Sequence, residues 1–320
     1  MASSSTGRRS LRCNPDRRRS LLPDSVRVIV RDWLNANHVL LLDGDDNVLI
    51  DSGYVTHADT TLRLVREQLR GRPLPRLINS HCHADHMGGN ASLQRAFGCT
   101  LSVPAGEAAL IERWDTQALW IDWGGQRAER FAFDAVIRSG DRLRMGGLDW
   151  TVLDAPGHDM GAVMFWNPDR RILISGDALW QRGFGVVLPG PGWRERLAAT
   201  RDTLLRIRAL APAHVIPGHG AVFSDVDAAI ATSLARVEGF ENDEARLARH
   251  AVKVMFSFAL MDLGSLDEDS LPDYLATVPV YEEYDRAYLG LGFTGLAEWL
   301  VAELSRAGAL TRRAGKIVAA

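Results

Sequence analysis

Ser80-His81-Cys82-His83-Ala84-Asp85-His86-Met87-Gly88-Gly89-Asn90 is the stretch on which the reading of this chain turns. It sets three imidazoles and a carboxylate close together in a 320-residue sequence that holds only nine histidines. The apolar Leu77-Ile78 ahead of it predicts a buried strand ending at the loop, and Gly88-Gly89 behind it permits a tight turn. Asn90 is a candidate helix cap. Side chains alternate along an extended segment, so His81 and His83 fall on one side and can share a cation. Asp85 and His86, past a bend, can face a second. A polar loop of surface histidines is the weaker alternative, because such groups rarely crowd together without a cation to hold them.

Three later stretches offer the same residue types in the same setting. Asp154-Ala155-Pro156-Gly157-His158 follows the apolar run Trp150 to Leu153, Asp177 ends Ile172-Leu173-Ile174-Ser175-Gly176, and His219 ends Val215-Ile216-Pro217-Gly218. Each candidate sits just past a strand-like run and beside a glycine, where a side chain can leave a sheet and reach a shared pocket.

Together these stretches, led by HCHADHMGGN, resemble the HxHxDH signature of the metallo-β-lactamase fold hydrolases, and most closely their glyoxalase II-like (hydroxyacylglutathione hydrolase-like) branch. The resemblance implies an α/β fold, the four-layer αββα sandwich. It also implies a ligand set in which His81, His83 and His158 bind one metal, Asp85, His86 and His219 bind the other, and Asp177 bridges them. Two divalent ions are expected, with zinc first for five imidazoles and two carboxylates, and iron or manganese compatible with the same donors. The reaction implied is hydrolysis of an ester-type bond, a thioester or lactone of a small-molecule acyl substrate, by hydroxide shared between the ions. Asp85 and Asp177 are the expected catalytic carboxylates: Asp177 sets the spacing, while Asp85 ligates and accepts the water's proton. Asp51-Ser52-Gly53 looks like the family's DTG-like corner, with Asp51 ordering the metal loops through hydrogen bonds.

Two alternatives accompany this reading, an RNA or other phosphodiester hydrolase that uses the C-terminal region and a mononuclear-iron persulfide dioxygenase. A formal net charge of -3, from 37 basic and 40 acidic residues, speaks against a general polyanion binder. The short interval between Asp177 and His219 leaves no space for the inserted domain of cleavage-factor nucleases.

Around the motif the sequence divides into three parts. Residues 1–22, rich in Ser and Arg, predict a disordered tail, with a resemblance to an organelle transit peptide as the alternative. Residues 23–226 alternate strand-like and helical patterns and form the expected metallo-β-lactamase-like domain, with helices near 58–70, 91–97, 105–113 and 193–209. Residues 227–320 predict a mostly helical module: a long helix over 228–247, a continuation to Met261, and a last helix leading into a two-stranded wing. That tail resembles the winged-helix-like modules of some superfamily members, against the simpler reading of a helical cap.

Three cysteines, Cys13, Cys82 and Cys99, with no CxxC pair, point to a reducing compartment, and a cytoplasmic protein is the expectation. Cys82 should point away from the metals as an inert buried thiol. No apolar run is long enough to cross a bilayer. Trp114, Trp120 and Trp123 predict a substrate wall, helix packing or a homodimer contact, and the Gly- and Pro-rich loop with Trp180 and Phe184 is a second candidate substrate surface. His38, His57, His214 and His250 are read as surface or core.

Overall fold

The computed structural model describes residues 21–320, so the tail reading of residues 1–22 falls almost wholly outside it. Six strands build the first sheet in chain order: β1 (Val26–Ile29), β2 (His38–Leu41), β3 (Val48–Ile50), β4 (Arg76–Ile78), β5 (Thr100–Pro104) and β6 (Ala135–Ile137). A second sheet has the order β11-β10-β9-β8-β7, formed by β7 (Arg142–Met145), β8 (Leu148–Asp154), β9 (Val163–Asn167), β10 (Ile172–Gly176) and β11 (His214–Pro217). The two sheets face each other over Leu41, Ile50, Ile78, Trp150, Phe165 and Ile174. Helices α1 (Ala58–Leu69), α2 (Ala84–Met87), α3 (Asn90–Phe97), α4 (Ala105–Arg113) and α5 (Ile121–Gly124) follow β3 to β5. Helices α6 (Trp193–Leu210) and α7 (Val226–Glu241) flank β11 in the chain.

The cores on the outer faces explain the layering. Leu40, Leu49, Leu77 and Leu101 pack with Val65 and Leu69 of α1 and Ile111 of α4, while Leu173 and Val215 pack with Leu197, Leu204 and Ile230 of α6 and α7. Strands covered on both faces need apolar residues on both, which is why β2, β3 and β10 are buried along their whole length and, His38 and Ser175 apart, read as apolar runs. The expected four-layer αββα sandwich is therefore the one found.

C-terminal to it lie α8 (Glu244–Leu263), α9 (Leu271–Thr277), α10 (Pro279–Tyr284) and α11 (Gly292–Arg306). With them goes a small antiparallel sheet of β12 (Leu266–Asp267), β13 (Leu310–Arg313) and β14 (Lys316–Ala319). A last helix leading into a hairpin is thus present, and its core is Phe256, Leu260, Tyr281, Leu296, Leu300 and Ile317. The region is bonded to the sandwich: Tyr54 Oη donates to Asp262 of α8 at 3.1 Å, and Arg127 pairs with the same carboxylate. One boundary differs from expectation. The helix read over 228–247 breaks at Asn242-Asp243, because Asp243 accepts a bond from Arg246 N at 2.7 Å and caps a new helix there. Among the described residues no helix is long and apolar enough to cross a membrane.

Candidate metal centre

The four loops converge at one edge of the sandwich, past the C-terminal ends of β4, β8, β10 and β11. They bring His81, His83 and His158 into one group, and Asp85, His86, Asp177 and His219 into a second. Within each group the ligand atoms lie within 4.8 Å of one another. All seven residues singled out from the sequence are in these two groups.

The loop after β4 runs extended through His83 and then turns into α2. His81 and His83 thereby share a side, with ring centroids 4.7 Å apart, and Asp85 and His86 are turned toward the second group. Cys82, between them, is fully buried in the core under the first sheet, and burial drives its thiol well above its usual range. Asn90 does not cap α3. It accepts from Ser52 Oγ at 2.7 Å and donates to Asn79 Oδ1 at 2.7 Å, which ties the corner to the metal loop.

Asp51 holds that loop as expected. Ser80 donates to it from its backbone N at 2.8 Å and from Oγ at 2.7 Å, and His86 Nδ1 lies 2.9 Å from Asp51 Oδ2. Asp51 does this from a left-handed backbone conformation, φ +61°, a conformation that costs on the order of 1 kcal/mol and persists where surroundings over-determine it.

Asp177 stands between the groups. Its Oδ2 is 3.6 Å from His158 Nε2, and its Oδ1 is 3.4 Å from His86 Nε2 and 3.8 Å from His219 Nε2. Trp180 Nε1 donates to Oδ1 at 3.1 Å. Gly218 leaves room for this carboxylate, since a Cβ at 218 would lie 2.1 Å from Asp177 Oδ1.

The electrostatics fit a divalent cation. Burial first, then neighbouring imidazoles, keep His81 well below its usual range, and burial brings His83 and His158 to about 4. Their rings are neutral at pH 7, so each has a ring nitrogen able to ligate. Burial alone would raise Asp177, but His86 and His219 hold it well below the usual carboxylate range. His81 Nε2 is buried without a hydrogen-bond partner, and such an orphan is costly unless it ligates. Burial alone would lower His86, but Asp177, Asp85 and Asp51 hold it well above the usual imidazole range, so that it carries a proton a cation would displace. Imidazoles around ionised carboxylates are the donor set of a zinc- or iron-type site.

Several residues escaped the sequence reading. Asp159 lies 3.5 Å from His83 Nε2, which leaves His83 Nδ1, 2.8 Å from His158 Nε2, as the inward atom. Behind it sits Glu107, whose carboxyl is pushed up to about 9 by burial and by Asp159, so that it stays protonated and donates to Asp159. The adjacency of Asp159 to His158 was the only signal in the sequence. Trp33 is stacked on His219, its ring within 5° of parallel, and no motif marks it.

Of the three indoles in the Trp114 segment, Trp120 lies over the metal groups, its ring centroid 4.0 Å from that of His83. Trp114 packs on Phe131, and Trp123 on Tyr284. Trp180 reaches the site while Phe184 is core. His38, His57 and His214 lie outside the two groups, bonded to Thr61, Asn35 and Ser224, whereas His250 lines the cavity that opens from the metal groups.

Fold and site together define a metallo-hydrolase scaffold, and the chain belongs to the metallo-beta-lactamase superfamily, whose family model matches residues 31–219. It is similar to the hydroxyacylglutathione hydrolases of Hyphomonas neptunium, 31% identical over 132 residues, and Methylococcus capsulatus, 34% identical over 135 residues. Each alignment covers 41% of this chain, and 44% and 45% of those proteins, so the chain spans less than half the length of these two curated relatives. Its fold is similar to that of a metallo-beta-lactamase family protein from Thermus thermophilus over 94% of this chain and 100% of that one, with a TM-score of 0.55 and 19% identity.

Proposed function

We propose that this protein is a binuclear metal-dependent hydrolase that cleaves an ester-type bond, a thioester or lactone, in a small acyl substrate. The observation that carries the proposal is the position of Asp177, one carboxylate oxygen turned to each group of imidazoles. In this reading His81, His83 and His158 hold one ion, Asp85, His86 and His219 the other, and Asp177 both, with zinc the first assignment. Divalent ions held there supply Lewis acidity, polarising a carbonyl and making a nucleophile of water at neutral pH.

The chain's own residues do the rest. Asp85, the most exposed of the ligand carboxylates at 14%, lies with its Oδ2 3.0 Å from His219 Nε2 and faces the cavity, where it can take a proton from the attacking water. Trp33, Trp120 and Trp180 cover the site and limit water, which strengthens each electrostatic contact inside it. The hydroxyacylglutathione hydrolases it resembles support ester-type chemistry. The completeness of the second group supports two ions over the single iron of a persulfide dioxygenase. A phosphodiesterase would need a cationic groove at the metals, and the one Lys or Arg in this lining, Lys253, is paired with Glu303.

The test is a hydrolysis panel of thioesters, lactones, a β-lactam and a phosphodiester on protein with its metal content measured. Turnover of a thioester or lactone at two ions per chain is expected. Preference for the phosphodiester, or full activity after removal of metal, would overturn the reading.

A further inference from the structure

A cavity of about 400 Å³ opens from His83, Asp85, His158, Asp177 and His219, the size of a small-molecule site. Its opposite wall is one stripe of α8: His250, Lys253, Val254, Ser257, Phe258 and Met261. That spacing of three and four residues is a single helix face about 16 Å long at 1.5 Å per residue. The other face of α8, with Ala251, Val252, Phe256 and Leu260, is fully engaged in the C-terminal core. A helix at a domain surface ordinarily turns polar residues away from its core. This one presents Val254, Phe258 and Met261, each partly exposed, to a space that ends at the metal groups.

The polar members of the stripe add no free charge. Lys253 Nζ is paired with Glu303 at 3.1 Å, which leaves its methylene stem to line the space. His250 is kept neutral by burial and by the cations of Arg236, Lys253 and Arg246 around it. Leu304 and Ala307 close the same wall.

We propose that this chamber holds the apolar chain of the substrate, so that the enzyme acts on thioesters or lactones of aliphatic acids in preference to glutathione thioesters. Its occupant is fixed by continuity, since whatever fills the chamber is attached to the bond at the metals; the proposal therefore rests on the hydrolase reading above. A glutathione moiety carries carboxylates and an amine. Among the described residues the one Lys or Arg that lines the chamber, Lys253, is paired with Glu303; Arg196, in the neighbouring hollow beside His83 and His158, is spent on the carbonyls of Leu188, Pro189 and Pro191, and Arg236, Arg246 and Arg249 line a separate hollow that shares only His250 and Lys253 with the chamber. The C-terminal region thus serves as the specificity wall of a site whose metals sit in the sandwich.

Two measurements on the metal-quantified full chain test this. The first is kcat/KM along a series of acyl thioesters and lactones from acetyl to dodecanoyl, with a glutathione thioester of matched acyl group. The second is binding of 1-alkanols of rising length, read by intrinsic tryptophan fluorescence. Both are repeated on Val254→Trp and Met261→Trp, whose folding is checked by circular dichroism. We expect kcat/KM and alkanol affinity to rise roughly 3- to 4-fold per methylene until the chamber is full, and the long-to-short ratio to collapse at least tenfold in either variant. Hydrolysis with a flat chain-length profile, or preference for the glutathione thioester, overturns the chamber and leaves the hydrolase reading standing. Chain-length-dependent alkanol binding that the variants abolish, with no ester hydrolysed, upholds the chamber and overturns that reading.

Discussion

Asp51 Oδ2 lies 2.9 Å from His86 Nδ1, and this bond turns the other ring nitrogen of His86 toward Asp177. Asp159 does the same for His83 from the opposite side, 3.5 Å from its Nε2. Each group of candidate metal ligands thus has one carboxylate outside it that chooses which nitrogen points in.

The two supports should be separable. Asp51→Asn is expected to weaken one ion of the pair and Asp159→Asn the other, each by roughly 10- to 100-fold. Chelator competition followed by metal analysis checks this. Equal loss of both ions in each variant would mean that the groups do not act as distinct sites.

Asp85 belongs to the second group of candidate ligands and faces the cavity. Asp85→Asn is expected to lower kcat by roughly 10²–10⁴ on the best ester of the panel, with the circular dichroism spectrum unchanged. An unaltered kcat would remove Asp85 from the mechanism.

Gly218 is close to the Asp177 carboxylate by necessity. In Gly218→Ala the new methyl meets Asp177 Oδ1, and the carboxylate must move. Loss of the second ion is expected, with the first retained, and metal titration reads it directly. Wild-type stoichiometry and affinity would show that the bridge tolerates displacement.

His250 gives a pH signature outside the metal groups. Its pKa falls from the usual 6.5 to about 4, through burial first and then the cations of Arg236, Lys253 and Arg246. Between those values the unfolded chain takes up a proton that the folded chain refuses, so stability present at neutral pH is lost as pH falls through that window. In His250→Asn the loss should be shallower. Denaturation midpoints from pH 7 to pH 4 test this, and parallel profiles for variant and wild type would contradict it.

Much of this molecule was readable because metal chemistry is local. His81, Asp85 and their partners must lie just past strand ends, and buried strands such as Ile172–Gly176 advertise themselves as apolar runs. Other features were not readable because tertiary contacts decide them. Nothing in the spacing of Trp114, Trp120 and Trp123 says that only the second lies over His83. Asn90 has the chemistry of a cap, but its amide is spent on Asn79 and Ser52. The stripe of α8 that faces the metals looks, in sequence, like any other core face, because helical periodicity marks an apolar face without saying what fills the space beside it.

The central claim is that seven side chains hold two ions across Asp177. Anomalous difference maps from crystals of metal-loaded protein, collected at the absorption edge of the bound metal, test it most directly. We expect two peaks, one beside His81, His83 and His158 and one beside Asp85, His86 and His219, both in contact with Asp177. A single peak, or peaks that Asp177 does not touch, would contradict the account.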